Sequence, residues 1–138
     1  IQEAAWQDLY ILSEKWKNDL EFRLSEIEFL ERLIETYFIK LLLQESLDEL
    51  RELQKDLFFA KKQTKTLLQK NQSHLDYIIE ILDKTESLNT SVFRDKHEQL
   101  EDAISEFIAL LKTIRYTVFK MTKDVLENEK PKFIWKYN

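Results

Sequence analysis

Residues 46–83, SLDELRELQKDLFFAKKQTKTLLQKNQSHLDYIIEILD, decide the fold. The stretch holds neither Gly nor Pro. Its apolar residues recur at alternating steps of three and four, Leu50, Leu53, Leu57, Ala60, Leu67, Ile78 and Ile81, with Thr64, Asn71 and His74 filling the missing steps. That heptad spacing keeps one face of a helix apolar and predicts a long amphipathic α-helix over 47–83. Its start is written in Ser46-Leu47-Asp48-Glu49, where the serine oxygen can accept from a free backbone N–H and the glutamate can reach back to do the same. A helix with such a stripe must bury it, and the segments on both sides carry matching stripes.

Upstream, Trp6, Leu9, Trp16, Leu20, Ile27, Leu30, Ile34, Tyr37 and Leu41 repeat at heptad spacing, with Ser13 and Arg23 as polar interruptions, which predicts a first helix over 2–43. No strong breaker separates it from the next, so a single continuous helix competes. Phase decides against that. The first stripe extrapolates from Leu41 to Asp48, whereas the second runs through Leu50, and an offset of two residues rotates the apolar face by about 200°. A turn at Gln44–Ser46 accounts for both the offset and the capping serine.

Downstream, Lys84-Thr85-Glu86-Ser87-Leu88-Asn89-Thr90-Ser91 gathers residues whose side chains compete for backbone hydrogen bonds, and reads as a loop. A third helix over 92–128 follows on Phe93, Leu100, Ile104, Phe107, Leu111, Ile114, Val118, Met121 and Val125, with Pro131 set to stop it. The three helices are similar in length, roughly 55 Å each at about 1.5 Å per residue. Short connections then predict an all-α, up-down-up antiparallel three-helix bundle with coiled-coil-like heptad packing, one domain over 1–138 with an aromatic C-terminal tail over 129–138. In that register Lys61, Lys62, Lys65 and Lys70 face Asp19, Glu21, Glu26 and Glu28. Lys112, Arg115, Lys120 and Lys123 similarly face Asp48, Glu49, Glu52 and Asp56. Exposed pairs of this kind are worth under ~1 kcal/mol each and select register more than they stabilise.

Composition narrows the function. With no Gly and a single Pro in 138 residues, folds that need tight turns or close backbone approach are excluded. The balance of 26 acids against 21 bases, net −5, gives no field that would draw the chain to nucleic acid or an anionic membrane. No cysteine means no disulfide framework, no thiolate metal site and no thiol nucleophile. The most apolar block, Tyr37 to Leu43 around Lys40, falls far short of the ~20 residues that cross a bilayer. A cytoplasmic setting is expected. The opening residue is Ile1 rather than a methionine, which leaves room for an upstream segment or domain.

Candidate chemistry is sparse. His74 and His97 are the two histidines, about one turn apart in the antiparallel register, and His97 has Glu101 on its own helix face. Two histidines and a carboxylate suit zinc or iron. The di-iron bundle pattern, however, needs Glu three residues before each histidine, where Asn71 and Arg94 stand. The expectation is a pair of stripe-edge histidines bonded to carboxylates or water, with no metal and no cofactor. Thr64, Asn71 and Arg23 interrupt the stripes and are expected to turn their polar ends outward, the alternatives being a register device or a pocket lining. No Gly-rich phosphate loop, HExxH, GxSxG or paired catalytic carboxylates occur, so a non-enzymatic protein is expected.

The aromatic surplus is more informative. Phe58, Phe59, Tyr116 and Phe119 fall off the stripes, and Phe22 and Phe29 widen the apolar arc of the first helix. Phe133, Trp135 and Tyr137 make the tail too apolar for a solvated terminus, and an extended ten-residue segment reaches back roughly 30 Å, to the level of the other aromatics. These nine residues are the expected interface of a self-associating assembly module, a homodimer in the first instance, with a helical protein as the other possible partner. The alternative is a metal- or small-ligand-binding bundle centred on His74 and His97.

Overall fold

The computed structural model describes the backbone of residues 3–83 and 90–136 and the side chains of 5–83 and 91–127. The chain is almost wholly helical: α1 (Glu3–Thr36), α2 (Phe38–Leu41), α3 (Leu47–Asp83) and α4 (Thr90–Lys136), with no strand among the described residues. The long helices pack along their apolar faces in the manner of a helical bundle. Among the described residues, no helix is long and apolar enough to cross a membrane.

α3 follows its sequence pattern closely. Ser46 Oγ accepts from the Glu49 N–H at 3.1 Å and the Ser46 carbonyl accepts from Leu50 N–H at 3.1 Å, so one orphan donor of the first turn is capped and the helix ladder starts at once. Every stripe position from Leu50 to Ile81 is buried, Thr64, Asn71 and His74 included.

α1 stops earlier than its stripe. The expected helix over 2–43 ends at Thr36, Tyr37 sits at φ −105°, ψ 17°, and α2 is a single turn. Thr36-Tyr37-Phe38-Ile39 joins β-branched and aromatic residues, which lose rotamer freedom against the preceding helical turn and so hold a helix weakly. Beyond α2, Leu43 N–H to Lys40 O and Gln44 N–H to Leu41 O, at 3.2 and 3.0 Å, are tightened i→i−3 bonds. Among the described residues no backbone takes a positive φ, so the chain leaves the helix here without the left-handed conformation that glycine would serve.

α4 differs at both ends from the expected 92–128. It starts at Thr90, and the expected loop over 84–91 otherwise lies outside the described residues. At its other end the helix runs through Pro131 to Lys136. An interior proline forfeits its own N–H bond to the carbonyl four residues back, that of Glu127, and crowds it; this kinks a helix without having to end it. The extended tail reaching back over the aromatics is therefore replaced by continued helix, and the side chains of Phe133, Trp135 and Tyr137 lie outside the described residues. The stripe also slips once. Thr122 is buried where Met121 was expected, giving two consecutive steps of four, Val118 to Thr122 after Ile114 to Val118. A straight helix makes 3.6 residues per turn, so a strict heptad drifts and an inserted step of four restores the face. The Thr122 hydroxyl donates to Val118 O at 2.8 Å and so enters the core satisfied.

The chain divides into two compact units, the first from Ile1–Ser25 and Lys62–Ile108, the second from Glu26–Lys61 and Ala109–Asn138. In the first, Trp6, Ile78, Ile81 and Phe93 form a core cluster against which Leu9, Tyr10, Tyr77 and Leu82 pack. The same unit buries Ser13, Thr64, Asn71 and His74. The second is more uniformly apolar: Ile27, Leu30, Ile34, Leu41, Leu50, Leu57, Leu111 and Val118 are fully buried, each worth roughly 1.5–3 kcal/mol of transfer free energy. Two of its charge contacts differ from expectation. Lys61 Nζ meets Glu31 Oε1 at 2.9 Å, further along α1 than the acids expected for it. Arg115 turns to Glu26 on α1 at 3.5 Å instead of to the acids of α3, a charge contact without hydrogen-bond geometry.

Candidate functional site

Two regions carry side chains that the core does not explain. The first surrounds the histidines, in the first unit. His74 occupies a stripe position of α3 and is only 7% exposed, a core residue rather than the stripe-edge one expected. Its Nε2 lies 2.9 Å from His97 Nδ1 of α4, so the two rings bond to one another instead of to carboxylates or water. One ring donates and the other accepts, which requires that both be neutral or that the pair share one extra proton. Burial first, then His97 and the Lys96 ammonium, together lower the His74 pKa from 6.5 to about 4. Burial also lowers the His97 pKa, against the opposing pull of Glu101 and Glu98.

Aromatic rings enclose the pair. His74 stacks on Phe93 with centroids 4.6 Å apart and planes within 10°, and Tyr77 stacks on the same ring at 5.5 Å and 14°. Trp16 stacks on His97 at 5.0 Å, and Trp6 meets Phe93 edge-on at 4.6 Å. Beside the pair, Asn71 Nδ2 donates to the Ser13 carbonyl at 2.9 Å, while Asn71 Oδ1 and Ser13 Oγ are buried without a hydrogen-bond partner among the described residues. Asn71 and Thr64 therefore point inward, not toward water as expected.

Two openings reach this cluster. A cavity of about 510 Å³ between α3 and α4 is lined by Lys70, Ser73, His74, Tyr77, Val92, Phe93, Lys96, Gln99, Leu100 and Ala103. A second, of about 360 Å³ between α1 and α4, is lined by Ala5, Asp8, Leu9, Leu12, Phe93, Arg94 and His97. Each histidine thus faces its own opening. Sequence reading found the two histidines but missed this lining. The available signal was local: Tyr77 three residues after His74, and Phe93 four before His97, share a helix face with them. Among the described residues no three His, Asp or Glu side chains converge as a bound metal would need.

The second region is the aromatic exterior. Phe22 is 62% exposed and Tyr116 67%, and Phe29, Phe58, Phe59 and Phe119 are also exposed. Phe22 belongs to the first unit and the other five to the second, on α1, α3 and α4. Two rings have a cation from their own helix nearby: Arg23 Cζ lies 5.7 Å from the Phe22 centroid, and Lys55 Nζ 6.0 Å from that of Phe59. Phe58 and Phe59 meet at 6.2 Å.

The chain matches no known family model, no curated protein and no solved structure.

Proposed function

We propose that this chain is a non-enzymatic assembly module, a single up-down-up antiparallel three-helix bundle with coiled-coil-like packing, and that it pairs with a second copy of itself through the aromatics outside its core. Within the first unit, Ser13 bonds Asn71 while Trp6 lies in the cluster with Ile78; in the second, Glu31 meets Lys61. Residue numbers rising on α1 as they fall on α3 support antiparallel neighbours.

The observation that carries the reading is the exposure of Phe29, Phe58, Phe59, Tyr116 and Phe119 beside a core already filled by aliphatic residues. An aromatic side chain buries 150–250 Å² when fully covered, so each half-exposed ring offers roughly 100 Å² to a partner. Rings of this size are the anchors of a standard interface of ~800 Å² per partner, the residues around them supplying the rest. Aromatics are also enriched at the centres of interfaces. A copy of the same chain brings the same aromatic surface, as a two-fold interface requires.

Light scattering across a concentration series tests this. A dimer is expected, and the double substitution Tyr116→Ser with Phe119→Ser should move it to monomer with helical content unchanged, because both side chains lie outside the core. A parent chain that stays monomeric at millimolar concentration overturns the reading.

A further inference from the structure

We infer that the groove between α3 and α4 in the first unit binds a small amphipathic anion, an aromatic or branched apolar body carrying one carboxylate. The cavity of about 510 Å³ lies within the range of small-ligand sites, roughly 300–1,000 Å³, and is far larger than a packing fault. Its depth comes from buried residues: Phe93, Leu100 and His74 are all under a tenth exposed. The parallel Tyr77 and Phe93 rings give a flat apolar body a surface to stack on.

The charge of the lining sets the sign of the ligand. Among the described residues no carboxylate lines this groove, whereas Lys70 from α3 and Lys96 from α4 both do. Neither ammonium has an ion-pair partner among the described residues. Both are exposed, so they stand at the mouth with the apolar residues beneath them. Lys96 is close enough to act electrostatically on His74 at the floor. An anion held between the two lysines would supply the missing counter-charge while its apolar part displaced water from Phe93 and Leu100. Ser73 and Gln99 add neutral hydrogen-bonding groups that could orient the carboxylate. The size of the cavity suits such a ligand rather than a docked helix, whose apolar stripe would need a continuous trough.

The test compares 2-naphthylacetate with its neutral amide, 2-naphthylacetamide, by amide-shift titration of the whole chain. Saturable one-to-one binding of the acid is expected, with shifts centred on Ser73, Tyr77 and Lys96, and with the amide weaker by about tenfold, the worth of one modest charge-assisted contact. Lys70→Gln with Lys96→Gln should erase that difference without changing helical content, since both side chains are exposed. Ala103→Phe should fill the groove and abolish binding of both probes. Equal affinity for acid and amide, shifts centred elsewhere, or no saturation at millimolar probe would overturn the proposal. Self-association is read separately by mass, so either result can fail alone.

Discussion

Acid should weaken this protein through His74. The ring is 7% exposed, stacked on Phe93 and bonded to His97, and its pKa falls from 6.5 to about 4 in the fold. Between those values the unfolded chain binds a proton that the folded chain refuses. The contribution of neutral His74 is therefore complete above pH 6.5 and is lost as pH falls toward 4, where the folded state also takes up the proton and the loss levels off. A depression of this size is worth about 3 kcal/mol at ~1.4 kcal/mol per pH unit. Against a total stability of ~5–15 kcal/mol that is a large fraction, and it lowers Tm by roughly 10 °C in a chain of this size. The charged neighbours that act on the pair are Lys96, Glu98 and Glu101 on α4. The carboxylates also titrate near pH 4, so a control is needed. His74→Phe keeps a ring against Phe93 and removes the proton site while leaving Glu98 and Glu101 in place. It lowers stability at neutral pH, because His97 Nδ1 loses its partner, but its urea-denaturation curve should fall less on acidification. The stability difference should move by about 3 kcal/mol in the variant's favour between pH 7.5 and 4. Parallel pH profiles would refute a buried neutral histidine at this position.

Two further predictions follow from the packing. Ser46→Ala removes the oxygen that accepts from Glu49 N–H and should cost about 1 kcal/mol, read as a lower urea midpoint at constant slope; an unchanged midpoint would mean that the cap does not form in solution. Asn71→Leu exchanges a buried amide, whose Oδ1 has no partner, for an apolar side chain of similar size, and should raise stability by ~1–2 kcal/mol; a drop would show that the bond to Ser13 outweighs the desolvation of the amide.

How much of this was legible in the sequence varies by helix. α3 could be read throughout, because a break-free heptad stripe and a capping serine are local signals that point the same way. The end of α1 was not, since Tyr37 is a stripe residue and nothing there is a breaker; the break falls at Tyr37 itself, between two helical segments. Pro131 reads as a stop on the strength of the rule for isolated helices, yet one missing bond does not oblige a long helix to end. Phe22, Phe29, Phe58, Phe59, Tyr116 and Phe119 fall off the stripes and are exposed, whereas Tyr10, Phe38 and Tyr77, equally off the stripes, are half-buried. The histidine pair was half legible. Spacing placed the two rings near each other and put Tyr77 and Phe93 on their helix faces, but whether the histidines met carboxylates, water or one another depended on how α3 and α4 pack and on Trp16 from α1, which no local pattern encodes.

Those buried polar groups have a consequence for how the helices find each other. A heptad repeat is ambiguous by seven residues, since each repeat of Leu and Ile resembles the next, and an apolar stripe alone allows slipped pairings. Two contacts in the first unit remove the ambiguity. Asn71 reaches a backbone carbonyl of α1 because Ser13 is small; shifted by one heptad, it would face Trp6 or Leu20, whose bulk would keep the amide from the backbone. His74 finds a ring nitrogen at position 97; shifted by one heptad toward the C-terminal end of α4, it would face Ile104 and leave its nitrogen unmatched in an apolar core. The first contact sets α1 against α3 and the second α3 against α4. Neither needs to add net stability, because each penalises the wrong register by leaving a buried polar group without a partner, a cost of about 1–3 kcal/mol per group. This is also why Asn71→Leu can be both more stable and less specific: it removes the unsatisfied oxygen and, with it, one of the two marks that tell adjacent heptads apart.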